Sequence, residues 1–223
     1  MVIKHCFILL IIFSIFFVYQ SSFLYAQNTG ITEKEIRDIA REESMIFLND
    51  IPVGQEVLYG FENRDQFKLV TIGKPLQIVS LSAESFPDDY NSADLKLIPK
   101  EEWFVPLIVQ NTIKAIITVT KHQGRYQAVD FGAKDFAHEL NSFPDVKGET
   151  NNIISILRVY RLQSDFLIIS SESKPNQNVI IPMVSAQIAL LNDVSCKSRL
   201  TETETLYLLK DKLELLSNED INK

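Results

Sequence analysis

Cysteine is the scarcest informative residue in this chain. Only Cys6 and Cys196 occur among 223 residues, and Cys6 lies in a segment with the layout of an export signal. A mature chain left with Cys196 alone has no internal disulfide and must stand on its apolar core. A chain of roughly 200 residues can do so, because it buries about 70% of the surface its unfolded form exposes. Histidine is also scarce, with only His5, His122 and His138. A basic excess is missing as well: 22 Lys+Arg stand against 29 Asp+Glu, giving a formal charge of −7 and a pI near 5.1. Nucleic acid or an acidic membrane as main partner would need a basic footprint, so neither is expected. Seven Gly and eight Pro exclude collagen-like or low-complexity character. No G-x-S-x-G elbow, G-x-G-x-x-G loop or P-loop occurs, so serine chemistry of that type and nucleotide binding have no motif, and no cofactor is expected. No Asn-x-Ser/Thr sequon occurs either, which leans toward a bacterial exported protein. What remains, 46% hydrophobic and 23% charged residues, is the composition of a globular domain.

Residues 1–26 read as a tripartite signal peptide. Lys4 and His5 precede an apolar run from Phe7 to Val18 broken only by Ser14, and polar Gln20-Ser21-Ser22 leads to Leu24-Tyr25-Ala26. The small Ala26 suits the position before the cut, which places the mature N-terminus at Gln27. The apolar run covers about 18 Å as a helix, short of the roughly 30 Å hydrocarbon core, so no transmembrane anchor is expected after processing. Cys6 precedes the run, whereas a lipidated Cys would follow it. The expected product is an exported, acidic protein, periplasmic or extracellular. Its expected layout is one α+β domain over residues 27–200, then a C-terminal amphipathic helix and polar tail over 201–223.

The elements follow from periodicity and turn chemistry. Thr32 and Glu35 form a T-x-x-E capping box, which starts a helix running to about Asn49 with Ile36, Ile39, Ala40, Ile46 and Phe47 on its inner face. Glu43 lies within that stripe, either paired with an Arg at the core margin or perturbed as a general acid. Pro52 and Gly54 end the helix. Val57–Phe61 reads as extended, Asp65–Val70 as one or two helical turns, and Leu76–Leu81 as a strand covered on both faces. A three-strand meander follows, with strands at Phe104–Val109, Ile113–Lys121 and Arg125–Phe131 and polar turns between them. Pro106 cannot donate to a ladder, which assigns it to an edge or a strand start. A helix is expected over Ala133–Asn141, then a hairpin of Ile153–Arg161 with Phe166–Ser171. Lys174–Asn178 reads as a turn into a strand at Val179–Ile181, and Met183–Leu191 as a short helix. Ile116, Val119, Val129, Phe131 and Ile168 are the expected core. The fold class is α+β: an antiparallel meander and hairpin sheet flanked by N-terminal, middle and C-terminal helices.

Tyr59-Gly60-Phe61, Gly73-x-Pro75, Trp103-x-x-Pro106 and the strand end Val129-x-Phe131-Gly132 stand in one order over residues 57–140. In these short motifs the chain resembles a type of uncharacterised exported bacterial α+β protein. The resemblance implies a fold and carries no activity and no site residues.

Chemistry-bearing residues are thinly spread. His138-Glu139 lacks the second histidine of H-E-x-x-H, so no metal site is expected. Cys196, flanked by Lys197 and Arg199, could pair with His122 or His138 as a nucleophile dyad, but it lies outside any tight turn into a helix. Asp88, Asp89, Asn91 and Asp94 offer oxygen ligands of the kind calcium takes, off the EF-hand spacing. Trp103, Phe104 and Tyr126 read as core aromatics. Glu101 and Glu102 are adjacent on a strand, point to opposite faces and cannot serve one substrate together. The C-terminal helix, capped by Thr201 and Glu204, is expected from Glu202 to Ser217, with Leu206, Leu209, Leu213 and Leu216 docked on the sheet. Leu208 and Leu215 lie on the opposite side, which makes them the candidate contacts to another protein or a second copy. The expected function is therefore an exported, non-catalytic binding or accessory domain. An exported hydrolase using Cys196 or carboxylates is one alternative, and a calcium-stabilised adhesive module built on Asp88–Asp94 is another.

Overall fold

The computed structural model describes residues 30–82, 96–148, 150–171, 174–190 and 199–221, with side chains for all of these except 174–177 and 214–221. Ile31–Lys223 form one compact unit. Helix α1 (Glu33–Asp50) starts at the expected capping box, in which the Glu35 backbone N–H donates to Thr32 Oγ1 at 3.2 Å and the Thr32 N–H donates to Glu35 Oε2 at 2.8 Å. Its buried ladder is Ile36, Ala40, Ser44 and Leu48, which corrects the inner face read from the sequence. Ser44 can take a core position because its hydroxyl donates to the Arg41 carbonyl at 2.8 Å. Ile46 turns outward and is 57% exposed. Glu43 is half-buried, and among the described residues it forms no ion pair. Arg64 pairs with Glu56 at 3.3 Å.

Val57–Phe61 is not extended. Glu56–Tyr59 is a 3-10 turn, closed by Gly60 in the left-handed region at φ 91°. The reason lies in packing: a Cβ at Gly60 would stand 2.1 Å from the Lys114 carbonyl oxygen, so only glycine lets this turn lie against the sheet. A second 3-10 helix, Arg64–Leu69, occupies the predicted helical turns.

Among the described residues the sheet has eight strands: β1 (Thr71–Ile72), β2 (Leu76–Leu81), β3 (Leu97–Val109), β4 (Thr112–His122), β5 (Arg125–Gly132), β6 (Ile153–Val159), β7 (Ser164–Ser171) and β8 (Lys174–Pro182). Their order is β5-β4-β3-β2-β6-β7-β8, with β1 beside β3. All neighbours are antiparallel except β2 and β6, which run parallel where the two meanders join. The fold is thus the expected α+β arrangement around a mostly antiparallel sheet. The meander turns use Gln110-Asn111 and Gln123-Gly124, all four with positive φ, the conformation that suits tight hairpins. β3 and β8 exceed their expected lengths by the most. β3 begins at Leu97, and β8 begins at Lys174 because Lys174 and Asn178 pair with Ser171 and Ser170.

Pro106 lies within β3, paired with Ile116, and not at an edge. Its carbonyl accepts the Gly73 N–H at 2.8 Å. A strand residue's N–H and C=O point the same way, so the missing donor faces the kink at Gly73-Lys74-Pro75 between β1 and β2, where no ladder acceptor waits.

Three core clusters result. The first lies under α1 and includes Trp103, Val105, Leu107, Ile117 and Val119. The second lies on the other face under α2 (Lys134–Leu140), with Leu76, Ile78, Phe104, Ile116 and Ile156. The third joins Phe166, Ile168 and Ile180 to α3 (Val184–Leu190) and α4 (Glu202–Ile221). Ile116, Val119 and Ile168 are buried as expected, but Val129 is 45% exposed. The β4–β5 register pairs Val119 with Ala128 and Thr118 with Asp130. Val129 is therefore the extra residue of a bulge and leaves the core face. Phe131 returns to that face, half-buried.

Candidate functional site

The sheet's first edge strand, β5, gathers the features most suited to contact. On its α1 side Phe131 is stacked between Phe47 (centroids 5.8 Å apart) and Tyr59 (5.7 Å). Tyr126 meets Trp103 edge-on at 5.4 Å and lies under the Lys121 ammonium at 5.7 Å. Lys121 donates to Glu101 at 2.6 Å, and the Tyr126 hydroxyl donates to the same carboxylate at 3.3 Å. The Glu101 hydrogen bond raises the Lys121 pKa above its ordinary value. Burial, then the Glu101 charge, raise that of Tyr126. These contacts hold the strand on the domain through one face only. Val57 and Leu58, which precede Tyr59 in the 3-10 turn, are 62% and 66% exposed, and Val129 on β5 is 45% exposed. Adjacent large apolar residues left in water mark contact surfaces more often than scattered ones do.

Beside this edge a cleft of about 380 Å³ opens between the 3-10 turn, the start of β4 and α2, lined in part by Val57, Phe61, Lys114, Lys134, His138 and Asn141. Its floor is fixed. Asn141 Oδ1 accepts the Ile113 N–H at 2.8 Å, and its Nδ2 donates to the Ile113 carbonyl at 2.9 Å. The cations are drawn to its walls: Lys114 approaches Glu62 at 3.4 Å, and Lys134 donates to the Val57 carbonyl at 3.4 Å.

A third polar group lies on the α2 face of the sheet. Arg158 holds Asp165 in a fork, Nε to Oδ1 at 2.9 Å and Nη2 to Oδ2 at 3.2 Å. It stands 3.6 Å from Glu102 and 4.8 Å above the Phe104 ring. Burial works against its charge, but the Asp165 hydrogen bonds, then the Asp165 and Glu102 charges, outweigh it and hold the guanidinium above its ordinary value. On α2, Glu139 Oε1 accepts the Val184 N–H at 2.7 Å. Burial raises its pKa, the Val184 bond opposes this, and the Asp165 charge adds to the rise. This is a satisfied structural network. Its carboxylates are committed to Arg158 and to the first turn of α3.

Glu101 and Glu102 face opposite sides, as strand geometry requires, with Glu101 on Lys121 and Glu102 on Arg158. His122 and His138 are exposed, on β4 and α2 respectively. Cys196, the segment Asp88–Asp94 and residues 1–26 lie outside the described residues. Leu208 is half-buried against the third core cluster beside Leu206 and Leu209, while the Leu215 side chain lies outside those described. The Thr201 cap is present, with the Glu204 N–H donating to Thr201 Oγ1 at 3.2 Å. Among the described residues no three His, Cys, Asp or Glu side chains converge as a metal site, and no helix is long and apolar enough to cross a membrane. Sequence reading missed the β5 edge because edge position is set by non-local pairing. The exposed Val57-Leu58 pair beside Tyr59-Gly60 was its one local signal.

The short motifs around Gly60, Gly73, Trp103 and Phe131 act as packing devices. Gly60 lies on Lys114, Gly73 on Pro106, Trp103 on Tyr126 and Tyr59 on Phe131. No protein-family model, curated protein or solved structure matches the chain.

Proposed function

We propose that this chain is an exported bacterial binding domain without catalytic activity, processed after Ala26, which takes a protein partner on the β5 edge. The supporting observation is β5 itself. It ends the sheet, with β4 on one side and no described strand on the other. Val129 is exposed in its C-terminal half, and the turn carrying exposed Val57 and Leu58 reaches that end of the strand through Tyr59 on Phe131. Such an edge offers a row of backbone donors and acceptors to an added strand, and nearby apolar side chains give that strand something to bury. A photo-crosslinking amino acid placed at Val129 in the producing cell tests this. A discrete protein adduct is expected at that position and not at Ile188, which is 74% exposed on α3 at the β8 end of the sheet. No adduct at Val129, or the same adduct at Val129 and Ile188, contradicts the proposal.

A further inference from the structure

We infer that the occupant of the β5 edge is a second copy of this chain, paired antiparallel with its own β5 about a two-fold axis. This rests on the reading of β5 as a binding edge and names its partner. The observation that carries it is the bulge at Val129. The β4–β5 register pairs Arg125 with His122, Gln127 with Thr120 and Asp130 with Thr118. His122, Thr120 and Thr118 alternate along β4 and so share one face. Arg125, Gln127 and Asp130 therefore share that face too. Without the extra residue, Arg125 and Asp130, five positions apart, would point to opposite sides of the sheet. The bulge thus sets a cation at the start and an anion at the end of one face of the edge.

Both residues are exposed. Asp130 Oδ1 accepts only the neighbouring Phe131 N–H, at 2.8 Å, among the bonds described. A two-fold axis perpendicular to the sheet, just outside β5 and level with Gln127, sets a second β5 antiparallel beside the first. It brings Arg125 of each copy opposite Asp130 of the other, so one strand supplies two opposite-charge pairs. The two Phe131 stacks, each with Phe47 and Tyr59, then lie toward the two ends of the joined edge on one face. A strand bearing a single sign, or charges split between faces, would lack this self-complementarity.

The test uses the processed chain and light scattering after size-exclusion chromatography, with melting curves as a check on folding. Wild type is expected to be a dimer. Arg125→Asp and Asp130→Arg are each expected to weaken dimerisation by at least about tenfold, because each replaces both opposite-charge pairs with like-charge pairs. Mixing the two variants restores complementary pairs in a mixed dimer, as does the double variant Arg125→Asp/Asp130→Arg within one chain. If either single variant melts early, Arg125→Gln and Asp130→Asn replace them, with a smaller weakening expected. A monomeric wild type overturns the inference, as do charge variants that dimerise unchanged or a mixture that fails to restore association. The wider reading fails separately. A monomer whose Val129 probe still captures a different protein keeps the binding edge and loses only the self-pairing, whereas a monomer with no adduct loses both.

Discussion

At the β8 end of the sheet, Leu200 and Ile180 exchange two backbone hydrogen bonds, Leu200 N–H to Ile180 at 2.7 Å and Ile180 N–H to Leu200 at 3.1 Å. Asn178 reaches Glu202 of α4, and Leu206 and Leu209 of that helix are buried under the same edge. The β5 end is finished differently. Its side chains are anchored by Phe47, Tyr59 and Trp103 on one face, yet no described strand pairs with its outer row of backbone groups. Both ends are antiparallel hairpin strands of similar length, so strand propensity does not set them apart. The difference is in what covers the edge. Uncovered edges carry an aggregation hazard, and proteins commonly blunt them with bulges and charges. β5 has both, a bulge at Val129 and charges at Arg125 and Asp130; under the pairing inferred above, each charge meets its opposite on a second copy.

The largest effect is expected where the β5 half is fastened to its 3-10 turn. Gly60→Ala combines a left-handed φ of 91° with a Cβ placed 2.1 Å from the Lys114 oxygen. The turn must move away from β4, and the loss of stability should be about 2–4 kcal/mol. A urea titration checks this, and a change below about 0.5 kcal/mol would mean that the close approach does not hold the turn. A smaller effect should follow from opening the covered end. Leu200→Pro removes the N–H that Ile180 accepts and should cost about 1–2 kcal/mol. The variant should also associate through its newly bared β8, which concentration-dependent light scattering would detect. Unchanged stability and unchanged mass would show that Leu200 is not the cover.

The smallest effect concerns pH. Burial raises the Glu139 carboxyl above its ordinary value of 4.5, so the folded state holds this proton more tightly than the unfolded chain does. The stability from this group is fully present below the unfolded value and is lost as pH rises through the raised folded one. Glu139→Gln can still accept the Val184 N–H and does not titrate there. Relative to wild type it should gain stability as pH climbs from 4.5 into that raised range, and then hold the gain. Denaturation midpoints that stay parallel with pH would contradict the assignment.

The legible parts of the fold were those written in local chemistry. The capping boxes at Thr32 and Thr201 began helices where T-x-x-E placed them. The polar turns at Gln110-Asn111 and Gln123-Gly124 fixed the meander, since a two-residue hairpin sets its own register. What escaped was decided by distant neighbours. Pro106 is tolerated inside β3 because the chain kinks at Gly73, some thirty residues earlier. Gly60 forms a turn and not a strand because Lys114 occupies the space beside it. Val129 looked like a core residue because simple alternation puts it there, and only the pairing with β4 exposes the bulge. The candidate site was less legible still. The leucine pattern of the C-terminal helix calls for two covers and points to Leu208 and Leu215, of which Leu208 is half-buried on the third core cluster. The edge strand carried no such pattern, because its openness follows from the order of strands in the sheet.

Hydrogen exchange measured along β5 and β8 at rising protein concentration tests the central claim most directly. The account predicts that amides of Arg125–Gly132 exchange quickly in dilute solution and gain protection as concentration rises, while those of β8 stay equally protected throughout. Protection of β5 that is independent of concentration, or a gain confined to β8, would contradict it.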